Sequence, residues 1–265
     1  MYFNRLREAL VLCAVLLTPI ASWAAHPLIT DDAGTLGTGK FQLEVNGEYG
    51  TDKATAAGIE TIERGIEAAT ALGYGVSDAL DVVIGVPYLW GSSHDTELMT
   101  GNAARSNEKG QGDISLEAKW RFFEREGLSL AMKPGIRAPT GNERRGLGAG
   151  KYGFSAFVIA TQELKPLALH LNFGLMRNNN RIGERENLCH LSLAAEYEVA
   201  ERLRLVANIG QERNPDVLRK LKPRFGLLGV VYGITENFDI DAGVKTGLNG
   251  PETDLTVLAG VTLRY

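Results

Sequence analysis

The chain has 265 residues, 44% of them apolar and 23% charged, with a formal net charge of −4 at pH 7. A mildly acidic balance without a block of like charge gives no footing for nucleic acid as a partner. Two cysteines, one of them (Cys13) in the leading apolar stretch, leave Cys189 alone and exclude an internal disulfide framework.

The chain opens with a targeting pattern. Arg5 and Arg7 precede an apolar core over 9–20, and Ser22 and Ala24 set small residues at the −3 and −1 positions of a cleavage site, which predicts a signal peptide over 1–24. The core stops short of the roughly 20 apolar residues of a spanning helix. Cys13 follows Leu12 rather than a small residue, unlike a lipoprotein signal. Cleavage removes Arg5, Arg7 and Glu8, which moves the net charge from −4 to −5. Residues 25–38 follow as an expected periplasmic segment, and 39–265 as a barrel.

From residue 39 onward the dominant signal is period-two alternation. Phe41, Leu43, Val45 and Tyr49 alternate with Lys40, Gln42, Glu44, Asn46 and Glu48. Ile114, Leu116, Ala118, Trp120 and Phe122 alternate with Asp113, Ser115, Glu117, Lys119 and Arg121, and Phe238, Ile240, Ala242 and Val244 with Asp239, Asp241, Gly243 and Lys245. In the last segment Leu255, Val257, Ala259, Val261, Leu263 and Tyr265 share a face, with Leu258 the exception on the other. No run approaches the length of a membrane helix.

Such segments predict strands at 39–50, 62–76, 80–91, 111–123, 127–138, 151–163, 166–177, 188–199, 202–213, 223–234, 238–248 and 254–265. The second is the weakest, because residues 63–67 also read as a short helix or loop, and ten strands remain if one hairpin is misread. Most exceed the five or six residues usual in soluble sheets. Short polar turns at 77–79, 124–127, 165–166, 200–202 and 235–237 take turns with longer stretches at 51–61, 91–110, 139–150, 178–187, 213–223 and 249–254. Outer-membrane barrels alternate their connections this way, with both termini in the periplasm.

The expected fold is therefore all-β, an antiparallel transmembrane barrel of about twelve strands. Unpaired backbone groups are costly in hydrocarbon, so a spanning sheet must close, apolar face outward and polar face inward. A soluble sandwich or lipocalin-like barrel is the rival, with the faces reversed. Phe41, Tyr74, Phe122, Tyr197, Phe238 and Tyr265 fall near the periplasmic strand ends. Tyr49, Tyr88, Trp90, Tyr152, Phe154 and Phe225 fall near the outer ends, so the two sets form expected interfacial girdles.

The inward parity gathers charge: Lys40, Glu44, Glu48, Glu117, Lys119, Arg121, Lys133, Arg137, Glu196, Glu198, Arg204, Arg224, Asp239, Asp241, Lys245 and Arg264. These are candidate lumen-lining residues, either setting selectivity in a pore or neutralising one another in a filled barrel. The stretch 146–151 (GLGAGK) fails as a phosphate loop, because Arg145 stands at the first glycine and Tyr152 replaces the Ser/Thr. Among the four histidines, His26 lies at the mature terminus, His94 in a long loop, and His170 and His190 inward. Ser192 neighbours His190, but both face the lumen, where a lipid hydrolase would place neither. No His or Cys spacing suits a metal, and no cofactor is expected.

The mature start at 26–35 (HPLITDDAGT), followed by 39–44 (GKFQLE), resembles the opening of the outer-membrane proteins of the "MetA pathway of phenol degradation" family. The stretch 137–142 (RAPTGN), running into 146–150 (GLGAG), is similar to that family's Pro-Thr-Gly strand end and glycine-rich loop. The resemblance spans nearly the whole mature chain and implies a Gram-negative outer-membrane channel for small solutes, aromatic or other poorly water-soluble compounds. The last strand, ending in Tyr265, is similar to the signal read by the barrel-assembly machinery. Outer-membrane lipid, that machinery and a small solute are the expected partners. The competing readings are a structural or partner-binding barrel with a blocked lumen and, remotely, an outer-membrane lipid hydrolase.

Overall fold

The computed structural model describes residues 26–56, 58–101 and 103–265, so the expected signal peptide lies outside the described residues. Thirteen strands follow in order: β1 (Phe41–Ala56), β2 (Ile59–Ser77), β3 (Leu80–Glu97), β4 (Ala103–Gln111), β5 (Ile114–Arg125), β6 (Leu128–Ala138), β7 (Gly153–Leu164), β8 (Leu167–Arg177), β9 (Asn187–Ala200), β10 (Leu203–Glu212), β11 (Arg224–Thr235), β12 (Phe238–Gly247) and β13 (Leu255–Arg264). The barrel closes where β1 pairs antiparallel with β13, from Gln42↔Arg264 to Thr51↔Leu255.

The wall has twelve staves, because β4 and β5 together fill one. β3 pairs with β5 up to Gly85↔Ser115 and with β4 from Tyr88↔Gln111 onward. The interruption falls at Pro87, which has no N–H to offer the facing strand. The Pro-Thr-Gly stretch stitches the gap. Thr140 Oγ1 accepts from the Ile114 N–H (2.9 Å) and donates to the Gly112 carbonyl (2.9 Å), while Asp113 accepts from the Gly141 and Ala149 N–H groups (2.9 and 2.8 Å).

All five expected short turns are present, and β2 is continuous through residues 63–67. Two of the expected long loops are not loops. Residues 51–56, 59–61, 91–97 and 103–110 are paired strand, so β1, β2 and β3 reach 16, 19 and 18 residues against 10 in β10, β12 and β13. Ten tilted residues suffice to cross a bilayer. Beyond that height both faces of a strand meet water, the alternation disappears, and only the backbone ladder continues.

Side chains sort as the alternation requires. Leu255 and Val257 are exposed on the outer wall, whereas Thr256 and Thr262 are buried inside, as is the parity exception Leu258. Trp120, Phe122, Leu193, Leu205, Val244 and Tyr197 are likewise exposed, and Lys119, Glu196, Asp239 and Asp241 are buried. The inversion demanded by a soluble barrel is absent.

Candidate functional site in the barrel lumen

Residues 26–36 do not stay outside the barrel as a periplasmic tail. They run into it and lie across the lumen. The Ile29 and Thr30 N–H groups both donate to Asn208 Oδ1 (2.9 and 3.1 Å), whose Nδ2 donates to Thr30 Oγ1 (2.7 Å). Thr30 Oγ1 donates to Ser192 Oγ (2.7 Å), the Ala33 N–H to Thr161 Oγ1 (2.9 Å), and the Leu36 N–H to Asp81 Oδ2 (2.9 Å). In the amide orientation that satisfies both groups, Asn172 clamps the backbone N–H and carbonyl of Asp31 (2.7 and 2.8 Å). A chain without regular structure needs side-chain partners for its buried backbone, and the wall supplies them.

Packing agrees with the hydrogen bonds. Ala33 is fully buried against Ala131 and Ile159, with Phe157 at the edge. Pro27 sits over Gly229 and Gly243, which face each other across β11 and β12. A Cβ at either would come within 2.6 or 2.9 Å of the proline ring.

Charge ties the segment down. Asp31 lies between Lys133 Nζ (2.8 Å) and Lys119 Nζ (3.3 Å). Burial works against the Asp31 carboxylate, but the two ammonium groups outweigh it and hold the acid below the usual carboxylate range. Asp32 has no such pair: burial pushes it up to about 6, with Lys119 offsetting and the Asp31 charge adding. At the far end His26 Nδ1 meets Asp241 Oδ1 at 2.5 Å.

The other candidate charges are mostly neutralised in place. Arg204 bridges Glu196 (2.8 Å) and Asp239 (3.3 Å), and Arg264 also reaches Asp239 (2.8 Å). Lys245 pairs with Glu252 (2.9 Å), Lys133 also with Glu117 (3.4 Å), and Arg137 with Asp113 (3.7 Å) and Asn178. Glu44 accepts from Gln42 and Asn46, and Glu48 faces Glu67 across β1 and β2. Arg121 bonds the Asp78 carbonyl at the short-turn mouth, where Lys40 and Glu198 are exposed.

Two expected positions are wrong. Arg224 is exposed at the long-loop end of β11, on the outward parity with Leu228 and Tyr232. Phe225 consequently points inward, 2% exposed, with Lys245 Nζ 5.8 Å from its ring centre, and is no girdle residue. The strand keeps an apolar residue on both faces here (Phe225, Leu227 and Val231 inside), so alternation could not fix its phase. The remaining girdle residues lie on the outer wall: Phe41 and Tyr74 meet across β1 and β2 at one end (4.7 Å between ring centres), and Tyr88 and Trp90 touch near the other (4.4 Å).

His170 and His190 are buried inside. His190 Nδ1 lies 2.7 Å from Glu212 Oε1 and its Nε2 2.7 Å from Ser192 Oγ. The order carboxylate, imidazole, hydroxyl is that of an acyl-transfer relay, but Ser192 is buried beneath Thr30 and serves as its acceptor. Among the described residues no group of three or more His, Cys, Asp or Glu side chains is arranged to hold a metal ion.

Open space is left beside the segment, along β1, β2 and β3 and reaching Lys119 and Lys133 on β5 and β6. A cavity of about 260 Å³ runs between the inner segment and a wall that includes Glu44, Asn46 and Glu117. A more open one of about 400 Å³ lies nearer the long-loop mouth, bounded by Gly50, Gly65, Gly91, Asp52 and Glu63. Sequence reasoning missed Asp31, Asn172, Ser192 and Asn208 as lumen anchors. Their only signal was uncharged polarity at inward parity, together with an Asp-Asp pair in a segment that otherwise reads as loop.

A closed antiparallel wall, apolar outside and charged within, defines an outer-membrane β-barrel. The family model described as "Putative MetA-pathway of phenol degradation" matches residues 27–265, and the chain belongs to that family. Its fold is similar to that of the COG4313 outer membrane channel from Pseudomonas putida F1, with a TM-score of 0.67 at 16% identity over 88% of this chain and 98% of that one. The transport unit of the autotransporter AIDA-I from Escherichia coli gives a TM-score of 0.58 at 11% identity over 91% and 94% of the two chains. The KdgM porin gives 0.53 at 9% identity over 84% and 98%. At these identities the likeness is one of fold. No curated protein matches the sequence.

Proposed function

We propose that the protein is a passive outer-membrane channel for small solutes whose bore is set by its own N-terminal segment. The observation that carries this reading is the seat of residues 26–36 inside the lumen, with open space left beside it along β1, β2 and β3. A barrel built only as a wall would need no irregular segment held across it by side-chain hydrogen bonds and ion pairs. The name of the similar COG4313 channel supports transport, and the family's description supports an aromatic solute. Export by residues 1–24, cleavage after Ala24 and insertion by the barrel-assembly machinery through the Tyr265 strand belong to the same reading.

The rival is a blocked, structural barrel, favoured by the pairing of Arg204, Arg264 and Lys245 with wall carboxylates. Planar-bilayer recording separates the two. The channel reading expects small discrete openings from the mature protein and larger ones after removal of residues 26–37, with passage of phenol-sized solutes in liposome assays. Silence from both forms would establish the blocked barrel instead.

A further inference from the structure

The connection between β10 and β11 carries a feature that water alone does not explain. Residues 217–222 read Val-Leu-Arg-Lys-Leu-Lys, and all six are exposed. Val217 is 54% exposed, Leu218 89% and Leu221 56%. Free loops hide such side chains by collapsing, but this one is held open. The Arg185 guanidinium, from the neighbouring β8–β9 connection, donates to the carbonyls of Asn214, Asp216, Val217 and Arg219 (3.1 to 3.4 Å). Asn214 bonds the Leu221 carbonyl (3.2 Å), Asp216 Oδ1 accepts from the Leu218 N–H (2.8 Å), and Asn249 bonds the Lys222 carbonyl (2.7 Å). The backbone is fixed so that its apolar side chains point away from the protein.

Its height matters as much. β10 and β11 have 10 and 12 residues against 19 in β2, so this part of the rim is low and ends where a bilayer ends. Directly beneath lies the lipid-facing wall, with Ile209 and Leu228 exposed. Above it stand Lys220, Lys222 and Arg224, exposed and without a carboxylate at salt-bridge distance among the described residues. The loop's own Asp216 is taken by Arg219 (3.4 Å), and Glu212 by His190 (2.7 Å). Apolar side chains continuous with a lipid wall, interleaved with free cations, complement an acyl layer beneath anionic headgroups.

We propose that the 213–223 connection is an interfacial anchor for the phosphorylated lipid of the outer leaflet. Val217, Leu218 and Leu221 enter the acyl boundary, and Lys220, Lys222 and Arg224 receive the headgroup phosphates. The proposal rests on the outer-membrane orientation given above but not on conduction, so bilayer recordings and lipid binding fail independently.

The test titrates the full mature barrel, in a non-ionic detergent, with bisphosphorylated lipid A and with its dephosphorylated form, read by native mass spectrometry. The phosphorylated lipid is expected to bind about a hundredfold more tightly, the scale of three basic residues near an anionic surface. Lys220→Gln, Lys222→Gln and Arg224→Gln together should abolish that preference, and Lys220→Gln alone should reduce it, in protein shown folded by heat-modifiable mobility. Leu218→Ser should weaken both lipids alike and leave the preference intact. Equal binding of the two lipids, a preference that survives the triple change, or indifference to Leu218→Ser would overturn the anchor. Displacement of the lipid by millimolar inorganic phosphate would overturn it too, in favour of a free-anion site.

Discussion

Lys133 Nζ lies 2.8 Å from Asp31 Oδ2, joining the middle of the barrel wall to a residue that precedes the first strand by ten positions. Both groups are partly buried beside the inner cavity, and Lys119 completes the cluster at 3.3 Å. Removing Asp31 leaves Lys133 with Glu117 alone (3.4 Å) and Lys119 with no carboxylate at salt-bridge distance among the described residues, a loss of about 1.5–3 kcal/mol for charged hydrogen bonds. Asp31→Ala is therefore expected to unseat the segment while the barrel stays closed. Bilayer conductance should rise, and limited proteolysis should cut between residues 26 and 37. Unchanged conductance together with full protease resistance would show that the segment is held without this tie.

The two neighbouring aspartates give docking a pH window. Asp31 titrates below its ordinary value of 3.8, so its contribution is present above about 4 and is lost as the pH falls through the folded value. Asp32 is pushed the other way, to about 6 from 3.8, so the docked segment binds a proton that a free one has released, and docking strengthens as the pH falls from 7 toward 4. Amide protection across residues 29–36 should rise as the pH falls through about 6 and peak near pH 4. Asp32→Asn should raise protection at pH 7 and flatten the upper limb. A fall in protection from pH 7 to pH 5 would contradict this assignment.

The proline seat provides a steric test. Gly243→Leu places a side chain where Pro27 now sits, since the Cβ alone would approach it to 2.9 Å. Conductance should rise as with Asp31→Ala. Gly250→Ala, where a Cβ meets nothing within 4 Å, should leave both conductance and folding unchanged.

Much of the fold was legible because a bilayer imposes a simple code. One face of Leu203–Glu212 or Leu255–Arg264 must suit lipid and the other must not, so a period of two fixes boundary, direction and strand count together. The code fails wherever a second medium is absent. Above the bilayer, residues 51–61 and 91–110 meet water on both faces and read as loop although their backbones pair. Inside β11, Phe225, Leu227 and Val231 are apolar at inward positions, which erased the phase and misplaced Arg224. The charged candidates Lys119, Lys133, Glu196, Asp239 and Asp241 were found by parity. The segment that covers them was not, because its partners Asn172, Ser192 and Asn208 become meaningful only once the wall has curled around them.

The wall's orientation is itself open to measurement. Leu193→Arg places a charge on the lipid face near mid-strand, where it should cost about 2–4 kcal/mol in a bilayer unfolding titration. Asn208→Ala, facing inward opposite Ala194, the chain neighbour of Leu193, should cost the barrel far less and act mainly by releasing Ile29 and Thr30. Equal losses from the two would count against the inside–outside assignment.

Seating of the N-terminal segment in the lumen is tested most directly by a disulfide across the contact between Thr30 and Ser192, whose hydroxyl oxygens lie 2.7 Å apart. In a Cys189→Ser background, Thr30→Cys with Ser192→Cys should oxidise in the folded, inserted barrel, and the cross-linked form should conduct no more than the native protein. Adding Asp31→Ala should then raise conductance only after reduction. Failure of the pair to cross-link, or conductance indifferent to reduction in that triple variant, would mean that the segment does not occupy the lumen.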